Sequence, residues 1–304
     1  MMGRITSAAA ILMLLSGACA SPLQAQDCND GGLTRISCLP EASRTSGELL
    51  TLGANVAIGG LTAGVRQWRA DGSFLDGFWR GAVGGVGTYA GKRIVGADFD
   101  GAGILGRSVA AAGASVTRNA ADGKPMFDRL TIPIGFVRLD WRPHNGDVHA
   151  AFDVAALTTI AGIYMSGLGA SLDLRRTLDT GAPVFMARDW EPGLGWAGRQ
   201  IFGAVLLRGD PPVDPDHAML LRQALHHERV HVLQYDQSFI LWNEPFETRL
   251  LRRLGSPDWL ASRFDLSLVA VGISGMKFML PPSLHVWEDE AHFIGRTEDG
   301  PDGA

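Results

Sequence analysis

His227-Glu228-Arg229-Val230-His231 spells H-E-x-x-H. Residues four apart on a helix share one face, one turn apart. Two imidazoles at that spacing can reach one zinc ion through a ring nitrogen each. Glu228 projects beside them, where a carboxylate can accept a proton from a water that the metal activates. The chain holds eight histidines in 304 residues, so the motif is not a by-product of histidine-rich composition. The flanking sequence supports a helix. Asp214 suits the N-cap, Pro215 the first helical position, and Asp216 adds negative charge to the first turn. Met219, Leu220, Ala224, Leu225, Val232 and Leu233 supply apolar faces around the motif. Ionisable groups turned inward among them are costly unless paired or metal-bound.

A catalytic zinc needs a third protein ligand and an open position. Pro281-Pro282, Ser283 as N-cap and Gly295 as terminator frame a short helix from about Leu284 to Ile294. Glu288 and His292 lie one turn apart on it. Glu288 is the expected third ligand, and His292 a hydrogen-bonding partner of a ligand. Glu290 is the main rival of Glu288, because a rotated or irregular helix exchanges their roles. Glu244 and Glu247 are weaker rivals. His226 is turned about 100° from His227 and is expected at a cap or on the surface. Tyr235, four residues after His231, is a candidate oxyanion donor, against the alternative of a buried aromatic with a satisfied hydroxyl. His285 and Tyr164 are further candidates for that role.

H-E-x-x-H followed some tens of residues later by Glu288-x-Glu290-Ala291-His292-x-x-Gly295 resembles the gluzincin metallopeptidases. The group that includes HtpX, the CAAX prenyl proteases and BepA has the most similar pattern. The resemblance implies that His227, His231 and Glu288 bind Zn2+. It also implies that Glu228 is the general base of peptide-bond hydrolysis. His292 stands where the family has a supporting aspartate, which is a departure. Only about the last ninety residues carry the resemblance.

Arg4, an apolar run from Ala8 to Leu15 and small residues up to Ala20 or Ala25 have the layout of a secretory signal peptide. Export to the periplasm or the outside is therefore expected. A lipoprotein is the lesser reading, since Cys19 follows a poor lipobox. Cys28 and Cys38 are expected to form a disulfide in an oxidising compartment. It would contribute on the order of 3 kcal/mol or less.

The expected fold class is α+β. A Gly-rich helical N-terminal part precedes an antiparallel sheet of about five or six strands, then a helical H-E-x-x-H part. The expected divisions are a signal peptide over 1–25, a disulfide-closed leader over 26–47, a Gly-rich helical plus β region over 48–208, and a helical zinc-binding region over 209–304 that can join the preceding one. Gly60-x-x-x-Gly64, Gly81-x-x-x-Gly85 and Gly87-x-x-x-Gly91 permit close helix approach. They suit a soluble packing layer or a hairpin touching a membrane, with strands as the alternative. Leu130–Trp141 reads as a strand with an edge or bulge at Pro133, and Asn145-Gly146 as a turn. Val154–Leu172, and the runs 183–188 and 200–207, read as further strands. An edge strand of this sheet is a candidate shelf for an extended peptide, provided it lies near His227. The net charge of −5 without a basic stripe argues against nucleic acid as a partner. The arginines between Arg249 and Arg263 suit a solvated helix face better than lipid headgroups. The partner is therefore a peptide or protein substrate, with peripheral membrane contact as a further option. A catalytically inactive envelope protein that keeps its zinc is the alternative function.

Overall fold

The computed structural model describes residues 41–188, 198–209, 215–257, 259, 263–269, 271–272, 290–291 and 293–295. The signal peptide, the Cys28–Cys38 pair, Asp214, His285, Glu288 and His292 lie outside the described residues. Within them the chain is α+β, with helices and two small mixed sheets.

Three helices come first: α1 (Glu41–Arg69), α2 (Phe74–Val95) and α3 (Ala102–Ala121). Ser73 caps α2 by accepting from the Asp76 amide at 3.3 Å, and Asp76 adds negative charge to the first turn. Gly101, at φ +87°, breaks the chain ahead of α3 in a conformation open to glycine. The glycines of α2 let it lie against both neighbours, backbone to backbone. A Cβ on Gly81 would stand 2.3 Å from the Gly59 oxygen, and one on Gly91 would stand 2.3 Å from the Ala110 nitrogen. Each helical glycine costs about 1 kcal/mol of propensity, which the dense contact offsets. The region is helical, so the strand alternative is set aside. Gly60 faces the ring of Phe78, and Gly64 faces both the ring and the backbone oxygen of Phe74. Ser46–Arg69 is long and apolar enough to cross a membrane, and 28% of its apolar window is buried.

The strands form two sheets, where the sequence suggested one. The first has the order β1-β2-β3-β8, from β1 (Leu130–Ile134), β2 (Val137–Arg142), β3 (Asp147–Asp153) and β8 (Phe264–Asp265). Leu130–Trp141 is a hairpin and not one strand, because Gly135, at φ +60°, reverses the chain. Pro133 sits on edge strand β1, where a missing N–H is tolerated. The Asn145-Gly146 turn joins β2 to β3 as expected.

Val154–Leu172 departs most from its reading. Asp153 ends β3, and its side chain accepts from the Ala156 amide at 3.1 Å, which starts helix α4 (Val154–Met165). An N-cap thus overrides the β-branched composition. Helix α5 (Leu174–Thr180) begins the same way at Asp173, which accepts from the Arg176 amide at 2.9 Å. Burial pushes the Asp173 carboxyl up, but the Arg176 amide and guanidinium outweigh it and leave it below the usual carboxylate range. The cap's contribution is therefore present at neutral pH and fades as acid titrates the folded group. Asp173→Ala is expected to cost about 1 kcal/mol in urea denaturation at pH 7, with Asp173→Asn recovering most of it.

The second sheet has the order β4-β5-β7-β6, from β4 (Ser171–Leu172), β5 (Val184–Ala187), β6 (Gly198–Ile201) and β7 (Ala204–Arg208). Residues 200–207 reverse at Phe202 (φ +39°) and Gly203 (φ +82°) to make the β6–β7 hairpin. Its hydrophobic face meets α6 (Pro215–Ser238), the helix of the H-E-x-x-H motif, through a cluster of Val184, Val205, Leu207, Leu225 and Val232. The opposite side of α6 meets the helical layer, where Val95, Ala110, Val230, Leu233, Ala291 and Ile294 form a second cluster. The motif helix therefore runs between the glycine-rich bundle and the second sheet. A π-helical segment (Phe239–Asn243) and helix α7 (Glu244–Arg253) follow.

Candidate metal centre

Helix α6 presents His227 and His231 toward each other. Their Nε2 atoms are 3.0 Å apart, with the rings nearly perpendicular at 82°. Two nitrogens bound to one tetrahedral zinc at about 2.0–2.1 Å stand about 3.3 Å apart. The pair is thus within a few tenths of an ångström of the spacing a shared ion needs.

A hydrogen-bond chain orients the His231 ring. Its Nδ1 lies 2.7 Å from Gln234 Oε1, and Gln234 Nε2 donates to Glu290 Oε2 at 2.9 Å. A carboxylate only accepts, so the Gln234 amide must turn its NH2 toward Glu290 and its oxygen toward His231. Nδ1 of His231 then carries the hydrogen, and the Nε2 lone pair points to His227. Metal-binding histidines commonly have their second nitrogen held in this way.

Glu290 is anchored from the glycine-rich bundle. Lys92 Nζ reaches its two oxygens at 2.9 and 2.8 Å, and Asn55 Nδ2 donates to Oε1 at 2.8 Å. Lys92 spends its third donor on Asn55 Oδ1 at 2.9 Å. Lys92 and Asn55 are 2% and 1% exposed, so this ion pair is shielded from solvent. Burial pushes the Glu290 carboxyl up, yet the Lys92 ammonium and the hydrogen bonds from Lys92, Gln234 and Asn55 hold it below the ordinary carboxylate range. Both oxygens already accept two donors each, which suits Glu290 to orienting a ligand and not to being one. Glu288 cannot be placed in the same terms, as it lies outside the described residues. Among the described residues no group of three His, Cys, Asp or Glu side chains gathers for a metal.

The second motif nevertheless meets the first. A Cβ on Gly295 would stand 2.9 Å from the His227 Cα and nitrogen, and one on Gly96 would stand 2.4 Å from the Ile294 oxygen. Glycine at 295 lets the end of the Glu290–Gly295 stretch cross α6 at the first histidine.

Glu228 is buried and points to the second sheet, where its Oε2 accepts from the Gln200 backbone amide at 2.5 Å. Among the described residues β6 is an edge strand, and it lies beside the motif with its Gln200 amide taken by Glu228.

Other candidates fall elsewhere. Tyr235 is buried, and its hydroxyl donates to Asp153 at 3.0 and 3.2 Å. Asp153 also receives Arg138 at 2.6 Å and Ser267 Oγ at 3.0 Å. Burial first, and the Asp153 charge second, raise the phenol pKa, so the hydroxyl stays protonated on Asp153. This is the arrangement of a buried aromatic with a satisfied hydroxyl. Tyr164 is exposed and stacks edge-on against Phe185. Glu247 accepts from Asn243 Nδ2 and from the Leu266 and Ser267 amides. The Glu244 side chain lies outside the description. His226 is buried and not at the surface, beside the backbone of Gly96 at the end of α2. Burial, then the Arg229 cation, lower its pKa, while Arg229 itself pairs with Asp179.

Four contributors escaped the sequence reading: Asn55, Lys92, Gln200 and Gln234. Gln234 had a signal, lying at i+3 from His231 on the same helix face. Lys92 reads as an ordinary cation in the last turn of α2. Comparison with family models, curated proteins and solved structures finds no match to this chain.

Proposed function

We propose that this chain is an exported zinc-dependent metallopeptidase of the gluzincin type. The observation that carries the reading is the convergence of the His227 and His231 Nε2 atoms at 3.0 Å, with the His231 tautomer set by Gln234, Glu290 and Lys92. A surface pair of histidines needs no such support; a metal-ligating pair does. His227 and His231 would hold the ion, and Glu288 is the proposed third ligand on the strength of the E-x-E-A-H-x-x-G pattern. When bound, zinc supplies Lewis acidity for activating water and polarising a carbonyl.

Glu228 serves as general base. It takes a proton from the attacking water as the C–O bond forms, and delivers it to the leaving amine as the C–N bond breaks. The substrate class is a peptide or protein. Edge strand β6 lies beside Glu228, which supports an extended chain docking near this edge without pairing across Gln200, whose amide Glu228 already occupies. Export rests on the signal-peptide layout of residues 1–25. Leu75, Trp79, Val83 and Val86 form an exposed apolar strip on α2, which supports peripheral membrane contact.

Metal removal tests the reading. The purified mature chain should carry zinc, lose casein hydrolysis on dialysis against a chelator, and regain it when zinc is added back. A metal-loaded protein that cleaves neither casein nor a broad peptide set would instead be the inactive envelope protein with a structural zinc.

A further inference from the structure

We propose that the Gln200 backbone amide is a positioning donor that tethers the Glu228 carboxylate; this rests on the hydrolase reading above. Ladder geometry makes the amide available. The two-residue reversal at Phe202-Gly203 places Ile201 opposite Ala204 as the hydrogen-bonded pair next to the turn. Bonded and non-bonded pairs then alternate along the hairpin, so Gln200, opposite Val205, turns its N–H away from β7. β6 is the last strand of its sheet, so that amide has no strand partner among the described residues. Glu228 Oε2 takes it at 2.5 Å.

Gly198 makes the approach sterically feasible. A Cβ there would stand 2.7 Å from Leu207 Cδ2, 3.3 Å from Glu228 Cγ and 3.5 Å from Ala224 Cβ. A larger residue would crowd the Leu207 and Glu228 side chains where β6 meets α6. Gly198 thus admits the strand, and Gln200, two residues on, supplies the donor.

A glutamate side chain has three rotatable bonds, and an untethered carboxylate samples many directions. A charge-assisted bond to a rigid backbone donor removes most of that freedom. With Oε2 held, the direction of the carboxylate is fixed for proton transfer: the water O–H breaks as the carboxyl O–H forms, then that O–H breaks as the amine N–H forms. The tether also affects substrate docking. A peptide that paired with β6 across Gln200 would have to displace Glu228 from this amide.

Gln200→Pro deletes the N–H that points away from β7, so no ladder bond is lost, and Gln200→Ala keeps it. Both are compared for zinc content and for kcat and KM on fluorescein-labelled casein. The expected result is equal zinc content, unchanged KM, and a kcat for the proline variant about 10²-fold below that of the alanine variant. Equal kcat values in the two variants overturn the proposal. So does a rise in KM alone, which would assign the amide to substrate binding. Should the proline variant fail to fold, hydrogen exchange decides: the Gln200 amide should exchange faster in Glu228→Ala than in the wild type, and equal rates overturn the tether. A wild type without hydrolytic activity removes the hydrolase reading itself, whereas an active wild type with matching variants removes only the tether.

Discussion

Glu228→Gln is expected to leave zinc binding intact and to lower casein hydrolysis by about 10²–10⁴-fold, the range that general-base catalysis contributes. The substitution is nearly isosteric. Its amide oxygen can still accept from the Gln200 N–H that Glu228 Oε2 now occupies, so β6 should keep its place on α6. What is lost is the ability to take a proton from water. His227 and His231 are unaffected, because their spacing depends on the helix and on Gln234 and not on Glu228. Zinc stoichiometry by elemental analysis, with initial rates on casein, checks both halves. A mutant as fast as the wild type would remove Glu228 from the chemistry.

Lys92→Met is expected to produce the second large effect, on stability and metal affinity together. It leaves the Glu290 carboxylate buried without its cation, a defect that costs about 3–5 kcal/mol in comparable sites. It also loosens the acceptor that orients Gln234, and through it His231. Loss of such outer partners lowers metal affinity about 10–100-fold. Urea denaturation and competition for zinc against a chromogenic chelator measure the two separately. Combining Lys92→Met with Glu290→Gln removes the buried charge and should recover much of the stability while affinity stays weak. Unchanged zinc affinity in Lys92→Met would mean that the network serves only folding.

The network also links the glycine-rich helices to the H-E-x-x-H motif. α1 and α2 approach closely enough at Gly59 and Gly81 for Asn55 and Lys92 to share the carboxylate of a residue far along the sequence. Small residues on those faces bring the two polar side chains to one point, and that point lies behind His231.

Several features were legible in the residues because they depend on near neighbours. The i, i+4 histidines, the helix starting at Pro215 and the Asn145-Gly146 turn all follow from local geometry. Failures arose where one residue redirects a long apolar run. Asp153 turned an apparent strand into α4, and Gly135 and Gly203 folded single runs into hairpins. A cap contributes about 1 kcal/mol and a positive φ is open to few residues, so both can outweigh a weak β preference.

Tyr235 illustrates a different limit. Its position one turn beyond His231 fits an oxyanion donor, but the Asp153 carboxylate, far away in sequence, claims the hydroxyl. A residue's face on its helix is written in its spacing; which group it meets depends on how the rest of the chain packs.

Local order along the chain thus established the paired imidazoles, the acidic residue beside them and the tight helix contacts permitted by glycine. Tertiary packing alone chose Lys92 and Asn55 as the partners of Glu290, set the tautomer of His231, and brought the Gln200 amide to Glu228. The reason is physical: a helix face is a periodic property of neighbouring residues, whereas a buried ion pair forms where distant segments are pressed together. A backbone N–H is common to nearly every residue and has no letter of its own, so only the folded edge of β6 distinguishes the one at Gln200.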